Sequence, residues 1–341
     1  MTVLARWLLP LGIALLVAAS GPVGADLYQA RLGDADLTAS IEDGLLRLES
    51  GGFVEAEMRV PSGTKIHSLG AVDGGWIAAG SHSTASGIRL FLRGRVDGLS
   101  VTLPAPPGSG RLRLHPNLLV ADGELAGLLW LEGPDRRSLR VRAARWNGSG
   151  WSSGQTLADA ASGSQLALQA EVLSDGTWLA VWSRYDGNDD EIFWTRHNST
   201  GWSPPRRIYK NNTTPDITPA LLPLEDGAVV AWSRYDGNDY RIVTARYRAG
   251  SWNAPQMIGA RGSVFPRLLE RDGRPYLFYR ATVPAEWTLL ELSTSAAIKR
   301  RAVLPVERRD WPEVVLEGGS EARLRWPGED GSPELRTLEW R

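Results

Sequence analysis

Two loops carry the residues with the most chemical reach. Arg184-Tyr185-Asp186-Gly187-Asn188-Asp189 and Arg234-Tyr235-Asp236-Gly237-Asn238-Asp239 read alike residue for residue. Arg280 stands at the same spacing after Asp272 as Arg234 does after Asp226, so three successive copies of a repeat place an arginine at one position. A planar guanidinium matches a carboxylate, phosphate or sulfate in fork geometry, and three together suit an anionic ligand such as an acidic sugar. Tyr185 and Tyr235 beside them supply faces on which a sugar can stack. The bland role stays open: Arg184 with Asp186 or Asp190, and Arg234 with Asp236, are spaced for surface ion pairs, which contribute only about 0.2–1 kcal/mol each.

Asp186-Gly187-Asn188-Asp189-Asp190-Glu191 holds several oxygen ligands of the kind calcium takes. Its twin continues with Tyr240-Arg241, which removes two carboxylates and adds a cation, so no cofactor is expected and calcium is the one metal to consider. The four histidines, His67, His82, His115 and His197, are scattered without metal-ligand spacing. Nucleophile elbow, phosphate loop and dinucleotide fingerprint are all absent. Glycoside hydrolysis needs two carboxylates about 5–9.5 Å apart, and Asp186, Asp189, Asp236 and Asp239 are the residues to examine for it.

The elements that must hold these loops repeat along the chain. Apolar opening strands are expected at Ile66–Val72, Leu114–Ala121, Leu166–Leu173, Ile217–Leu224, Val264–Glu270 and Trp311–Leu316. Each is followed by an Asp-Gly or Gly-Gly turn, a second strand ending in an aromatic, a polar turn and an alternating third strand. Asp-Gly suits a tight hairpin because glycine accepts positive φ. Trp151, Trp202 and Trp252 each introduce a short fourth strand. Trp182, Trp194, Trp202, Trp232 and Trp252 recur at strand positions and are assigned to the packing between copies.

Six copies of about 46–53 residues, four strands each, predict an all-β, six-bladed β-propeller over residues 51–341. The last copy stops after three strands. The segment Phe53–Val60 is expected to pair with Leu335–Trp340 and close the ring, which removes exposed sheet edges. Residues 26–50 read as an extra hairpin, and seven blades is the alternative count. The second-to-third turns carry the ligand site, and Glu132, His82 and Gly328 are the expected occupants of the arginine position in other copies.

Residues 1–25 read as a secretory signal: Arg6, an apolar run from Trp7 to Ala19, and small residues Val23-Gly24-Ala25 before the cut. No later segment reads as a membrane span. The mature protein is expected to be secreted or periplasmic in a bacterium. The chain has no cysteine, and a large β core needs no disulfides. A formal net charge of −1 argues against a nucleic-acid partner.

The order of Pro, Asp-Gly, a Trp-ending strand, Glu191-Ile192-Phe193 and Gly201-Trp202-Ser203-Pro204-Pro205 resembles bacterial propeller repeats of the sialidase-like, Asp-box-type superfamily. Gly176 to Ile208 carries the resemblance best, Gly227 to Ile258 next, and residues of about 110 to 310 follow it. It implies a six-bladed fold and glycan or protein binding. The departures are specific. The turn that holds an Asp box in the family reads Asn198-Ser199-Thr200-Gly201-Trp202, without aspartate. The arginine triad, tyrosine nucleophile and acid/base aspartate of that family map onto no positions here. A non-catalytic exported propeller that binds a glycan, acidic sugars among the candidates, or an envelope or extracellular protein on its loop face is therefore the expected function. A sialidase-like hydrolase and a cell-envelope scaffold are the alternatives.

Overall fold

The computed structural model describes residues 28–341 apart from 33–34, 43, 51–52, 162, 210–211, 308–309, 318–320 and 328–331. The expected signal segment lies outside these residues. The described chain is all β: 29 strands and no helix. No helix in it is long and apolar enough to cross a membrane.

The strands run as antiparallel meanders of the kind seen in propellers. Module 1 spans Tyr28–Leu32 to Phe53–Arg59, and module 2 runs from Lys65–Val72 to Leu99–Thr102. Module 3 runs from Leu112–Ala121 to Gln155–Ala158, and module 4 from Gln165–Val172 to Arg206–Arg207. Module 5 runs from Asp216–Leu224 to Gln256–Met257, module 6 from Val264–Arg271 to Ile298–Pro305, and module 7 from Glu313–Glu317 to Pro333–Trp340. Opening strands of successive modules touch from module 1 through module 6.

Turn chemistry sets these hairpins. Asp122 and Gly123 both take positive φ (50° and 77°), as do Asp272 and Gly273 (51° and 71°), the backbone that a two-residue turn between twisted strands requires. Between modules the apolar faces interlock. Trp182 and Phe193 of module 4 pack with Leu129, Leu131 and Val141 of module 3, while Trp194 of module 4 packs with Val230, Trp232 and Tyr247 of module 5. Trp130, Trp182, Trp232 and Trp287 are fully buried. The recurrent tryptophans do form the inter-module core, with Trp202 and Trp252 at its partly buried margin.

Two expectations fail. Phe53–Arg59 pairs with Leu45–Ser50 in module 1, not with the C-terminal strand. Two residues separate those neighbours in sequence, so their closure costs far less chain entropy than pairing the two ends of the molecule. The C-terminal strand instead meets the outer strand of module 6, through Ala302 with Trp340 and Val303 with Glu339. Residues 28–50 are likewise more than a loose hairpin. Ala39, Leu46 and Leu48 are fully buried and pack on Ile66, Trp76 and Phe91 of module 2, which makes a seventh meander out of the N-terminal segment. Arg325 of the last module, ion-paired with Glu313, reaches Glu49 of the first at 4.0 Å.

Each opening strand from module 2 to module 6 contains a β-bulge near its start, where the register slips against the second strand. The bulged residues His115, Ala167, Thr218 and Phe265 all have φ of 48–56°, left-handed backbone that non-glycine residues seldom adopt. Asn117, just past one bulge, holds module 3 to module 4. Its amide donates to His115 O and Leu168 O, and its Oδ1 accepts from Ala170 N at 3.2 Å. Asn117→Ala strands those buried backbone groups. The expected cost is about 2–3 kcal/mol, read as a lower urea midpoint at unchanged slope.

Candidate functional site

The beginnings of the opening strands and the hairpins between second and third strands lie at one end of the sheets. The register fixes this: Gln165 faces Arg184, Asp216 faces Arg234, Val264 faces Arg280 and Arg113 faces Glu132. The twin loops therefore share one end of the molecule, as expected. Gly163 lets the chain entering module 4 pass close beneath its hairpin, since a Cβ there would sit 2.0 Å from the Tyr185 carbonyl oxygen.

The carboxylates of the loops are mostly spent on building them. Asp186 Oδ1 accepts the backbone N–H groups of Asn188 (3.0 Å) and Asp189 (3.3 Å), and Asp236 Oδ1 accepts those of Asn238 and Asp239, both at 3.0 Å. Gly187 and Gly237 supply the positive φ these turns need. The second oxygens take arginines: Arg207 on Asp186 at 2.5 Å and Arg241 on Asp236 at 2.6 Å. Burial alone would raise the Asp186 carboxyl, but the Asn188 N–H and Arg207 more than offset it and hold it below the usual range. The Asp239 N–H, then Arg241, bring Asp236 down to about 2. Asp239 pairs with Arg261 at 3.0 Å. Asn188 and Asn238 are exposed at the tips. Tyr185 is 43% exposed and donates to Gly187 O, while Tyr235 stacks at a tilt on Tyr240, ring centroids 5.4 Å apart.

The twins diverge where Asp190-Glu191 replaces Tyr240-Arg241. Asp189 is only 6% exposed and both its oxygens are buried without an acceptable donor. Burial, then Asp186 and Asp216, push it up to about 6, and Asn188 and Arg207 relieve only part of this. Burial and Asp189 bring Asp190 to about 6. Burial brings Glu191 to about 7, although it accepts the Asn212 N–H at 2.9 Å. Among the described residues no group of three or more His, Cys, Asp or Glu side chains is disposed to hold a metal ion, so the calcium reading gains no support here.

The three arginines occupy equivalent ladder positions, but they are not equivalent chemically. Arg234 grips Asp216 with two bonds, Nε to Oδ1 and Nη2 to Oδ2, both 2.7 Å. It does not pair with Asp236. Burial outweighs this pairing and leaves the Asp216 carboxyl above its ordinary range, while Asp216 holds Arg234 more firmly protonated. Arg184 lies flat on Phe193, its guanidinium carbon 3.5 Å from the ring centroid. Burial and nearby Arg207 lower its pKa, and Asp186, the expected partner, is taken by Arg207. Arg280 sits over Trp287 at 5.7 Å. The Nε of both Arg184 and Arg280 is buried without an acceptor, and among the described residues no carboxylate forms an ion pair with either.

Elsewhere the register corrects the expected occupants. Glu132 holds the equivalent position in module 3, paired with Arg113 at 3.3 Å. Ser81 holds it in module 2, not His82. Gly328 lies outside the described residues. Arg207, Asp216 and half-exposed Tyr209 were not among the expected site residues. Counting outward from the Asp226-Gly227 turn puts Ile217 opposite Arg234; the bulge moves Asp216 into that place.

No family model matches the sequence, and no curated protein matches it. The sialidase-like resemblance therefore has no family-level support. Among solved structures the chain is similar to the polysaccharide lyase Uly1, at 10% identity and a TM-score of 0.60, covering 94% of this chain and 90% of that one. It is similar to a prolyl endopeptidase at 12% identity and 0.56, covering 93% and 48%. A puromycin-hydrolysing peptidase of Mycobacterium tuberculosis matches at 13% and 0.55, covering 94% and 54%. The chain spans about half the length of the two peptidases. Identities this low bear on fold alone.

Proposed function

We propose that the seven meanders are the blades of one ring, and that the protein is an exported propeller that binds acidic carbohydrate at the end carrying Arg184 and Arg280. One observation carries this reading. At a position where Arg113–Glu132 and Asp216–Arg234 form ion pairs, modules 4 and 6 present an arginine with Gln165 or Val264 opposite. A guanidinium held over an aromatic ring and lacking a carboxylate is prepared for a ligand's anionic group. Exposed Tyr185 and Tyr209 stand on the same side as faces for sugar rings. Three of the four loop carboxylates, Asp186, Asp236 and Asp239, are engaged by arginines, so Asp189, raised to about 6, lacks a second loop carboxylate to work with, which favours binding over hydrolysis.

Isothermal titration against tetragalacturonate and a neutral tetrasaccharide tests the reading. Binding to the uronate alone is expected, weakened at least about tenfold in Arg184→Ala and in Arg280→Ala, since a charge-assisted bond contributes roughly 1.5–3 kcal/mol. Equal affinity for both sugars, or an unchanged value in both variants, rejects it. A second reading, cleavage of an acidic polysaccharide, draws on the near full-length likeness to a polysaccharide lyase. Release of shortened uronate products by the purified protein supports that reading.

A further inference from the structure

The bulges aim one side chain from each opening strand out of the regular in-and-out alternation. In modules 4, 5 and 6 those residues are Ala167, Thr218 and Phe265. In modules 2 and 3 they are two of the chain's four histidines, His67 and His115. Their rings lie 4.8 Å apart, tilted by 49°. His67 Nε2 shares a hydrogen bond with Ser81 Oγ at 3.0 Å, which leaves Nδ1 for another partner. Both rings are set deep in the protein yet keep part of their surface accessible. Both stand on the starts of opening strands, at the ligand end of the sheets.

The surroundings of the pair are basic. The charges that act most on His67 are His115 and Lys65, and those on His115 are Arg136 and Lys65. Lys65 enters the opening strand of module 2, and Arg136 sits in the second-to-third turn of module 3. No carboxylate acts on either ring comparably, whereas the corresponding corner of modules 4 and 5 holds Asp189, Asp190, Glu191 and Asp216. The ligand end is thus asymmetric: negative charge is crowded at modules 4 and 5, whereas in module 3 Glu132 is paired with Arg113 and Asp135 accepts the Arg137 N–H of its own turn.

We propose that His67 and His115, with Lys65 and Arg136, form an anion subsite that accepts a carboxylate or sulfate group and takes up a proton with it. As a glycan subsite it rests on the acidic-carbohydrate reading above; a free inorganic anion offers the same chemistry. Burial first, and then the neighbouring cations, lower both imidazoles, His115 to about 4, so both are neutral near pH 7. An anion in contact with them favours the charged form and raises both values. Affinity therefore rises as pH falls between the raised and the unliganded value, by up to about tenfold per pH unit for each proton taken up.

Histidine-selective labelling gives four imidazole signals to follow by NMR, those of His67, His82, His115 and His197. Titration from pH 7.5 downward, alone, with inorganic sulfate and with tetragalacturonate, is the test. The midpoints of His67 and His115 are expected to rise by about one pH unit or more with sulfate, and those of His82 and His197 to stay in place. Affinity for tetragalacturonate is expected to increase toward pH 5 in the wild type and in His197→Gln, and to lose that slope in His67→Gln and His115→Gln. Rings that respond to sulfate but to no uronate leave the anion subsite standing and remove its part in carbohydrate binding. Uronate binding with both rings unmoved and the slope intact in the variants overturns the subsite and leaves the carbohydrate reading in place. Silence of both rings toward both anions overturns the subsite outright.

Discussion

Replacing Arg234 by alanine is expected to lower stability by about 3–5 kcal/mol, the range for removing one partner of a buried ion pair. The Asp216 side chain is 3% exposed and accepts two bonds from that guanidinium. Asn212 Nδ2 donates to it as well, at 3.3 Å. Alanine leaves a carboxylate enclosed between modules 4 and 5 with nothing to balance it. Lysine restores a charge without the fork, so Arg234→Lys is expected to recover only part of the loss. Replacing both partners by apolar residues of similar volume is expected to cost much less than either single change. Guanidinium unfolding of the four proteins measures this. Arg184→Ala is the internal contrast: it removes a ring contact of about 0.5–1 kcal/mol and no ion pair. Equal losses at Arg184 and Arg234 are incompatible with their separate roles.

The second large effect concerns pH. Glu171 lies on the opening strand of module 4, at the ladder level where the neighbouring modules carry Leu119 and Leu222. Burial pushes its carboxyl up to about 8 from an ordinary 4.5. A raised folded-state value means the stabilising contribution is complete below the unfolded value, near 4.5, and is lost as pH rises through 8. Glu191, Asp189 and Asp190, raised to about 7, 6 and 6, act in the same direction. His67 and His115 act in the opposite sense. Their lowered values cost stability as pH falls below about 6.5, where the unfolded chain takes up protons that the folded one refuses. The four raised carboxyls outnumber the two lowered imidazoles, so the melting temperature is expected to fall from about pH 5 toward pH 9. Glu171→Gln keeps the shape and removes the ionisation, and is expected to restore stability on the order of several kcal/mol at pH 9 while changing little at pH 5. Melting curves for the two proteins that stay parallel over pH 5–9 contradict the assignment.

Much of this architecture is written locally in the chain. Asp-Gly pairs at 122–123, 226–227 and 272–273 mark hairpins, and the strands between them lie where alternation places them. The twin loops fall at one end because every meander has the same parts in the same order. What escapes is anything set by tertiary register. A bulge adds a residue without changing composition, so nothing in Pro215-Asp216-Ile217 marks Asp216 as the partner of Arg234 rather than Asp236. A slip of the same kind brings Ser81 to the place expected for His82. Module 1 was read as a hairpin plus a closing strand because Ala35–Glu42 and Leu45–Ser50 lack the tryptophans that mark other copies; their buried face is Ala39, Leu46 and Leu48. The histidines looked scattered at 67 and 115 because their proximity comes from two bulges on adjacent opening strands.

Hydrogen exchange with and without bound tetragalacturonate tests most directly where an acidic sugar docks. Slower exchange is predicted for the strand starts near 163–167 and 262–265 and for the hairpins around 184–190 and 280–284, with the Asp-Gly turns at 122–123, 175–176, 226–227 and 272–273 unchanged. Protection of those Asp-Gly turns, with the arginine end exchanging as before, contradicts the account.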